Sequence, residues 1–339
     1  MEDKNITDQL IITAKAMVAD HKGLVAMDES VATLNSRFEA AGIPQTEEYR
    51  RAYRELLITT PGIGDYLNGA ILFDETIDQQ TLAGVPFLES LQASGLIPGI
   101  KLDEGTEDLP GFPGEKITKG LDSLNERLTR YSRLGLRFAK WRGVIQIKEA
   151  LPTEACIISN THALARYAAA CQQAGIVPIV EPEVIMDGDH TIARCAEVTE
   201  RVLRSLFEQL YLFNVNLEGL ILKPNMILPG NDAIEKATPE EVAAQTVRVL
   251  RSAVPADVAG IAFLSGGQDA VSAAENLNAI NSFYKDDLPW PVTYSFSRAS
   301  HQPALEIWKG LPENAAAAQA SFLETGKINK AARRGELRN

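Results

Sequence analysis

A lysine closes an apolar run in the segment Leu217-Glu218-Gly219-Leu220-Ile221-Leu222-Lys223-Pro224-Asn225-Met226. Branched apolar residues bounded by Pro and Asn read as a buried strand. Burying an ammonium is costly, and the cheap escape is a neutral amine with a depressed pKa. A neutral amine in a dry pocket is a nucleophile toward carbonyls. A lysine at this place can equally reach past the sheet's end into solvent, so the remaining strand ends must decide.

Those ends carry the same kinds of residue. Asp28, Lys101 with Asp103, Lys140 with Arg142, Glu181 with Glu183, Ser265, and Ser295 with Arg298 each stand where an apolar run stops. Residues two apart on a strand share a face, so the 101/103, 140/142 and 181/183 pairs each aim together. Any one pair could be a structural ion pair or a solvated strand end. Seven runs that end alike point instead to one shared mouth.

The elements that must position them alternate along the chain. Strand-like runs fall at 23–28, 69–73, 97–103, 137–147, 177–184, 219–226, 260–265 and 292–298. Helical patterns lie near 46–58, 84–94, 118–133, 160–174, 190–211, 239–252, 270–281 and 303–324, with caps at Thr46, Thr238 and Asp269. Eight strands alternating with helices predict a closed (β/α)8 TIM barrel, whose chemistry sits at the strands' C-terminal ends. A helix opened by Thr7 precedes it. The expected organisation is an N-terminal helical extension over 1–22, the barrel over 23–325 and a short basic tail over 326–339. A doubly wound open sheet is the alternative, but no GxGxxG follows the first run. The Gly/Pro-rich stretch 109–114 reads as a loop after the third strand.

Composition bounds the partners. With 45% hydrophobic and 23% charged residues, the chain has the profile of a soluble globular protein. Its net charge of −12 argues against nucleic acid or an anionic membrane, and no apolar window is long enough to span one. The start, Met1-Glu2-Asp3-Lys4, resembles neither a signal nor a transit peptide. Three cysteines without CxxC spacing (Cys156, Cys171, Cys195) suit a reducing cytoplasm and read as packing residues. The four histidines, His21, His162, His190 and His301, have no ligand spacing, so no metal and no cofactor is expected.

The stretches AMDES (26–30), GIKLDEGT (99–106), FAKWR (138–142), IVPIVEPEV (176–184), LILKPNM (220–226), FLSGGQ (263–268) and SFSRA (295–299) resemble the class I fructose-1,6-bisphosphate aldolases. The likeness runs from about residue 23 to 311, and details such as AMDES are similar to the plastid branch more than to the animal one. It implies a (β/α)8 barrel and reversible, metal-independent cleavage of fructose 1,6-bisphosphate to dihydroxyacetone phosphate and glyceraldehyde 3-phosphate. Sedoheptulose 1,7-bisphosphate, of the Calvin cycle, could also fit. The family is often oligomeric, but no interface pattern is visible here.

The resemblance also assigns roles. Breaking C3–C4 leaves a carbanion that needs an electron sink, and a protonated imine supplies one; Lys223 matches the Schiff-base lysine. Only about 0.04% of lysine at its ordinary pKa is neutral at pH 7. Lys140, expected about 6 Å away, would lower that pKa by roughly two units and share in carbinolamine formation. Glu181 matches the general acid/base, with Glu183 beside it, and Asp28 matches the residue that holds the lysines and the C4 hydroxyl. Ser265-Gly266-Gly267, Ser295 and Arg298 match ligands of the C1 phosphate. Arg37, Ser30, Thr33 and Lys101 match positions near the C6 phosphate, and Arg142 is a further substrate contact.

Many class I aldolases end in a flexible tail whose tyrosine exchanges the C3 proton of the enamine. Here the last tyrosine is Tyr294, within the eighth run, and 327–339 reads as a mobile basic surface segment. The C3 proton would then pass to Glu181 or Glu183 through water. Two other functions fit part of the pattern: a sugar-phosphate-binding barrel without catalysis, and another imine-forming lyase or transaldolase.

Overall fold

The eight apolar runs become the eight parallel strands of a closed barrel in the computed structural model, which describes residues 2–338. In chain order the strands are β1 (Gly23–Met27), β2 (Leu67–Leu72), β3 (Ile97–Lys101), β4 (Thr106–Asp108), β5 (Lys116–Thr118), β6 (Phe138–Ile145), β7 (Val177–Val184), β8 (Ile221–Leu222), β9 (Gly260–Phe263) and β10 (Val292–Phe296). The helices are α1 (Glu2–Met17), α2 (Val31–Ala41), α3 (Glu47–Ile58), α4 (Asp74–Ile77), α5 (Phe87–Ala93), α6 (Leu124–Arg133), α7 (Glu154–Gln173), α8 (Ile192–Leu212), α9 (Pro239–Ala253), α10 (Ala270–Tyr284), α11 (Arg298–Trp308) and α12 (Ala315–Arg334). The barrel order is β1-β10-β9-β8-β7-β6-β3-β2, and β4 with β5 forms an antiparallel hairpin outside it.

Two cores hold the barrel. Inside it, Leu24, Ala26, Ile71, Phe138, Val177, Ile179, Ile221 and Ala262 pack with Leu10, Ala14, Met17 and Val18 of the α1 end. Gly99 is needed here, because a Cβ on it would stand 2.3 Å from the Phe138 ring. Asn68 ties α1 down by donating to the carbonyls of Met17 and Ala19 at 3.3 and 2.9 Å. Within the extension expected over 1–22, the stretch from Leu10 to Val18 is therefore a plug in the N-terminal mouth, and it shares the barrel's interior core. Outside the barrel, residues such as Val25, Leu72, Trp141 and Phe263 face the helix layer. The predicted caps form: Thr46, Thr238 and Asp269 each accept from a backbone N–H of the first turn, and Thr238 with Glu241 makes a reciprocal capping box.

Several boundaries differ from expectation, each for a local reason. Helix α2 follows β1 directly, with Ser30 as its N-cap. The helix expected from 118 starts at Leu124, because residues up to Thr118 form the hairpin. The helix expected over 303–324 is two, since Lys309 and Gly310 adopt left-handed φ of 50° and 75° and Pro312 follows. Arg298, expected at the end of a strand, opens α11. The run 219–226 pairs only at Ile221–Leu222, because Pro224 has no N–H for the ladder. Asn225 takes over, accepting from the Val184 N–H at 3.0 Å.

The C-terminal segment departs most. Residues 327–334 continue α12 and are not a mobile tail. Asn329, Ala332 and Arg333 are buried, at 1%, 0% and 7% exposure, and Arg333 donates to Asn281 of α10 at 3.0 Å. The apolar positions Ala318, Phe322 and Ala332 give this helix a face that must be covered, and α10 and α11 cover it. Deletion of 327–339 should therefore cost several kcal/mol and lower the melting temperature by about 5 °C or more. Thermal unfolding followed by circular dichroism checks this; an unchanged melt would restore the mobile-tail reading.

Candidate active site

The strands' C-terminal ends open into a cavity of about 1150 Å³. All fifteen residues given a site role from the sequence line it: Asp28, Ser30, Thr33, Arg37, Lys101, Lys140, Arg142, Glu181, Glu183, Lys223, Ser265, Gly266, Gly267, Ser295 and Arg298. Backbone contacts aim Lys223 inward. Its N–H donates to the Val180 carbonyl at 2.8 Å, and the next carbonyl, Pro224, accepts from Leu264 at 3.1 Å. The side chain is 4% exposed, so it does not extend into solvent.

Glu181 joins the two lysines. Its Oε1 lies 3.2 Å from Lys223 Nζ and its Oε2 lies 3.2 Å from Lys140 Nζ. The second contact is electrostatic only, because Glu181 Oε2 has no aligned hydrogen-bond partner among the described residues. Lys140 also meets Asp28 at 2.9 Å and Asp103 at 3.5 Å. Burial would lower the Lys140 pKa, but Asp28, Glu181 and Asp103 outweigh it and hold the amine above the ordinary lysine range. Burial likewise pushes Asp28 up, while Lys140 and then Lys223 bring it below the usual carboxylate value. Lys140 is thus a fixed cation and Asp28 a fixed anion. Glu183 pairs instead with Arg142 and has no lysine partner among the described residues, so the structure gives it a charge-balancing partner outside the lysine cluster.

The residues that the resemblance matched to phosphate ligands form two groups in the cavity. Gly266 and Gly267 both have left-handed φ, 57° and 90°, a conformation that favours glycine and leaves the backbone N–H groups open to close approach. The Arg298 guanidinium lies beside this turn, 3.6 Å from where a Cβ on Gly267 would stand. Arg298 has no hydrogen bond or ion pair with the described residues, and the buried Ser295 hydroxyl is also unpartnered. Across the cavity, Ser30 and Thr33 are engaged with each other at 3.0 Å, Arg37 pairs with Glu29, and Lys101 meets Asp103 at 2.8 Å. The lining carries seven basic and seven acidic side chains in a chain of net charge −12. A dianion entering this mouth meets local neutrality.

Comparison with known proteins identifies the arrangement. The family model described as fructose-bisphosphate aldolase class-I matches residues 9–339. The chain belongs to the class I fructose-bisphosphate aldolase family. It is 54% identical over 330 residues to the "Probable fructose-bisphosphate aldolase class 1" of Xylella fastidiosa, covering 97% of this chain and 98% of that one. It is 49% identical to "Fructose-bisphosphate aldolase 5, cytosolic" of Arabidopsis thaliana, over 97% and 91% of the two chains. A ternary co-crystal structure of fructose-bisphosphate aldolase from Plasmodium falciparum, with TRAP and a small-molecule inhibitor, superposes with a TM-score of 0.97 at 42% identity, covering 99% and 96% of the chains. The activity is therefore reversible, metal-independent cleavage of fructose 1,6-bisphosphate through a lysine Schiff base, the usual aldolase step of glycolysis.

The aldolase site contains further residues to which the sequence reading gave no role. Asp103 touches Lys101, Lys140 and the Arg142 N–H; its signal was the two-residue spacing from Lys101. Tyr131 lines the mouth from α6, its phenol donating to Asp74 at 2.6 Å, and no strand-end rule reaches a helix. Glu29 sits in a buried knot with Arg54 at 2.8 Å, His301 at 3.2 Å, Ser297 at 3.1 Å and Arg37. Tyr53 completes it, 2.8 Å from the other His301 nitrogen. Histidine serves here as a core residue. Tyr294, the last tyrosine, is buried and donates to the Tyr66 carbonyl at 2.9 Å, away from the cavity. Cys156, Cys171 and Cys195 are buried and unpaired.

Burial alone would raise the Glu29 pKa, but Arg54, then His301 and Arg37, hold it well below the ordinary 4.5. As pH falls, the unfolded chain therefore takes up this proton before the folded aldolase does. The resulting stabilisation is fully present above about pH 4.5 and is lost as pH falls through the folded value. Glu29→Gln should cost about 3–5 kcal/mol at pH 7, since it leaves Arg54 buried without its counter-charge. Chemical denaturation at pH 7 and at pH 3.5 checks this: the gap from wild type should narrow in acid.

Proposed function

We propose that Lys223 forms the Schiff base and that Glu181 moves the protons around it. The observation that carries this reading is the Glu181 carboxylate within 3.2 Å of both Lys223 and Lys140 at the base of the cavity. Glu181 Oε1 accepts the proton that Lys223 must shed before its amine attacks the C2 ketone. The same carboxyl then protonates the departing carbinolamine hydroxyl, and water leaves. With the imine cationic, deprotonation of the C4 hydroxyl sends the C3–C4 electron pair to the iminium nitrogen. Glyceraldehyde 3-phosphate departs, and an enamine remains. Glu181 Oε2, which has no hydrogen-bond partner, and Asp28 are the acceptors offered for that hydroxyl proton. A proton returned to C3, by Glu181 in this reading, and hydrolysis of the imine close the cycle. Lys140 keeps its charge throughout and stabilises the oxygen anion that develops as water leaves.

Arg298, Ser295 and the Ser265-Gly266-Gly267 turn are the C1-phosphate ligands in this reading, supported by their unpartnered donors. Arg37, Lys101, Ser30 and Thr33 serve the C6 phosphate, and Arg142 contacts substrate from its pair with Glu183. Two groups of phosphate ligands favour a bisphosphate, and sedoheptulose 1,7-bisphosphate, one carbon longer, is a second candidate substrate. We place the enzyme in the cytoplasm, in line with its cytosolic plant relatives; no helix among the described residues is long and apolar enough to cross a membrane. Self-association is a further proposal, for which size-exclusion chromatography is the measurement.

Lys223→Met should fold normally and lose at least ~10⁴ in kcat, because no other group supplies the electron sink. Borohydride trapping with dihydroxyacetone phosphate should label wild type and not this variant. Retention of a tenth of wild-type turnover would sink the assignment. Arg298→Ala removes a charge-assisted contact worth about 1.5–3 kcal/mol, so KM for the bisphosphate should rise about ten- to a hundredfold. An unchanged KM would remove Arg298 from the phosphate site.

A further inference from the structure

Asp103 belongs to neither phosphate group nor to the proton-transfer cluster, yet it touches both. Its side chain is 5% exposed. One oxygen, Oδ1, meets Lys101 Nζ at 2.8 Å and the Gly105 N–H at 3.4 Å. The other, Oδ2, faces Lys140 Nζ at 3.5 Å and the Arg142 N–H at 3.3 Å. Strand pairing fixes this bridge, because Lys101 and Lys140 are register partners on β3 and β6. The Asp103 backbone turns back toward them, Leu102 N–H donating to the Lys140 carbonyl at 2.9 Å.

Lys140 is shared three ways, between Asp28 at 2.9 Å, Glu181 at 3.2 Å and Asp103 at 3.5 Å. Lys223 stands on the far oxygen of Glu181. A phosphate dianion carries more charge than a carboxylate and competes with Asp103 for Lys101. Once Lys101 turns to the phosphate, the Asp103 charge is balanced chiefly by Lys140. The ammonium is then drawn toward Asp103 and away from Glu181 Oε2. That oxygen, relieved of a cation, becomes the stronger acceptor for the C4 hydroxyl proton.

We propose that Asp103 is a positioning residue through which the distal phosphate of the substrate, on binding Lys101, switches Glu181 into its proton-accepting state. This rests on the role given above to Lys101. The distal phosphate then raises turnover as well as affinity, with Asp103 as the link.

Steady-state kinetics on fructose 1,6-bisphosphate and on fructose 1-phosphate, which lacks the distal phosphate, tests it in wild type, Asp103→Asn, Asp103→Glu and Lys101→Met. Wild type active on neither substrate would overturn the assigned function itself, a separate outcome from those below. The wild-type kcat ratio of bisphosphate to monophosphate should be about tenfold or more, and Asp103→Asn should shrink it at least about fivefold, with Asp103→Glu restoring part. Lys101→Met leaves Asp103 permanently uncovered, so kcat on the monophosphate should rise about twofold or more while KM for the bisphosphate rises. That arm decides the matter if Asp103→Asn fails to fold. Equal kcat losses on both substrates in Asp103→Asn, or no gain on the monophosphate in Lys101→Met, would overturn the coupling and leave Asp103 an ordinary structural carboxylate.

Discussion

The Glu181 carboxylate held between two buried ammonium groups is the constraint on which the site depends. A lone ion at that depth would cost several kcal/mol, and a lone lysine would shed its charge. Here each cation is matched. Lys140 has three carboxylates, Lys223 has one, and Asp103 carries Lys101 as well. The balance lets ionised groups persist at the end of an apolar barrel, and it makes them sensitive to any new charge that enters. A phosphorylated sugar is such a charge.

The barrel supplies the precision. Parallel pairing sets Lys101 beside Lys140 and Arg142 beside Glu181 at fixed register. The interior core holds those strands from below, with α1 closing the opposite mouth. Positional tolerance in the chemistry is small, so a site on strand ends is better held than one on loops. The residues proposed as phosphate ligands lie partly off the strands. Ser30 and Arg37 belong to the α2 region, while Arg298 opens α11.

Around the cluster, a second buried network ties the helix layer to the mouth. Glu29 gathers Arg54 from α3, His301 and Ser297 from the α11 region, and Arg37 from α2. It therefore joins elements that carry residues proposed as ligands for both ends of the substrate. Its charge is satisfied inside the protein, so it acts as a fixed anchor for Arg37.

By itself the sequence determined the strand order, the barrel, and the residues at each strand end. Alternation of apolar runs with helical patterns, and polar residues at spacing two, are local signals that survive without any tertiary knowledge. Lys223, Glu181, Lys140 and Asp28 were legible because each ends an apolar run where an unpaired charge is out of place. Partnership was not legible. Only the closed barrel decided that Glu183 would face Arg142 while Glu181 faced both lysines, since that depends on strand stagger and side-chain reach. Tertiary packing also decided the fate of 327–334, whose basic composition suggested solvent but whose Asn329, Ala332 and Arg333 are covered by neighbouring helices. Asp103 toward Lys140, and Glu29 toward Arg54 and His301, acquire their roles from charges far away in sequence. Electrostatic partnership is set by distance in space, and a pattern of residue types along the chain does not contain it.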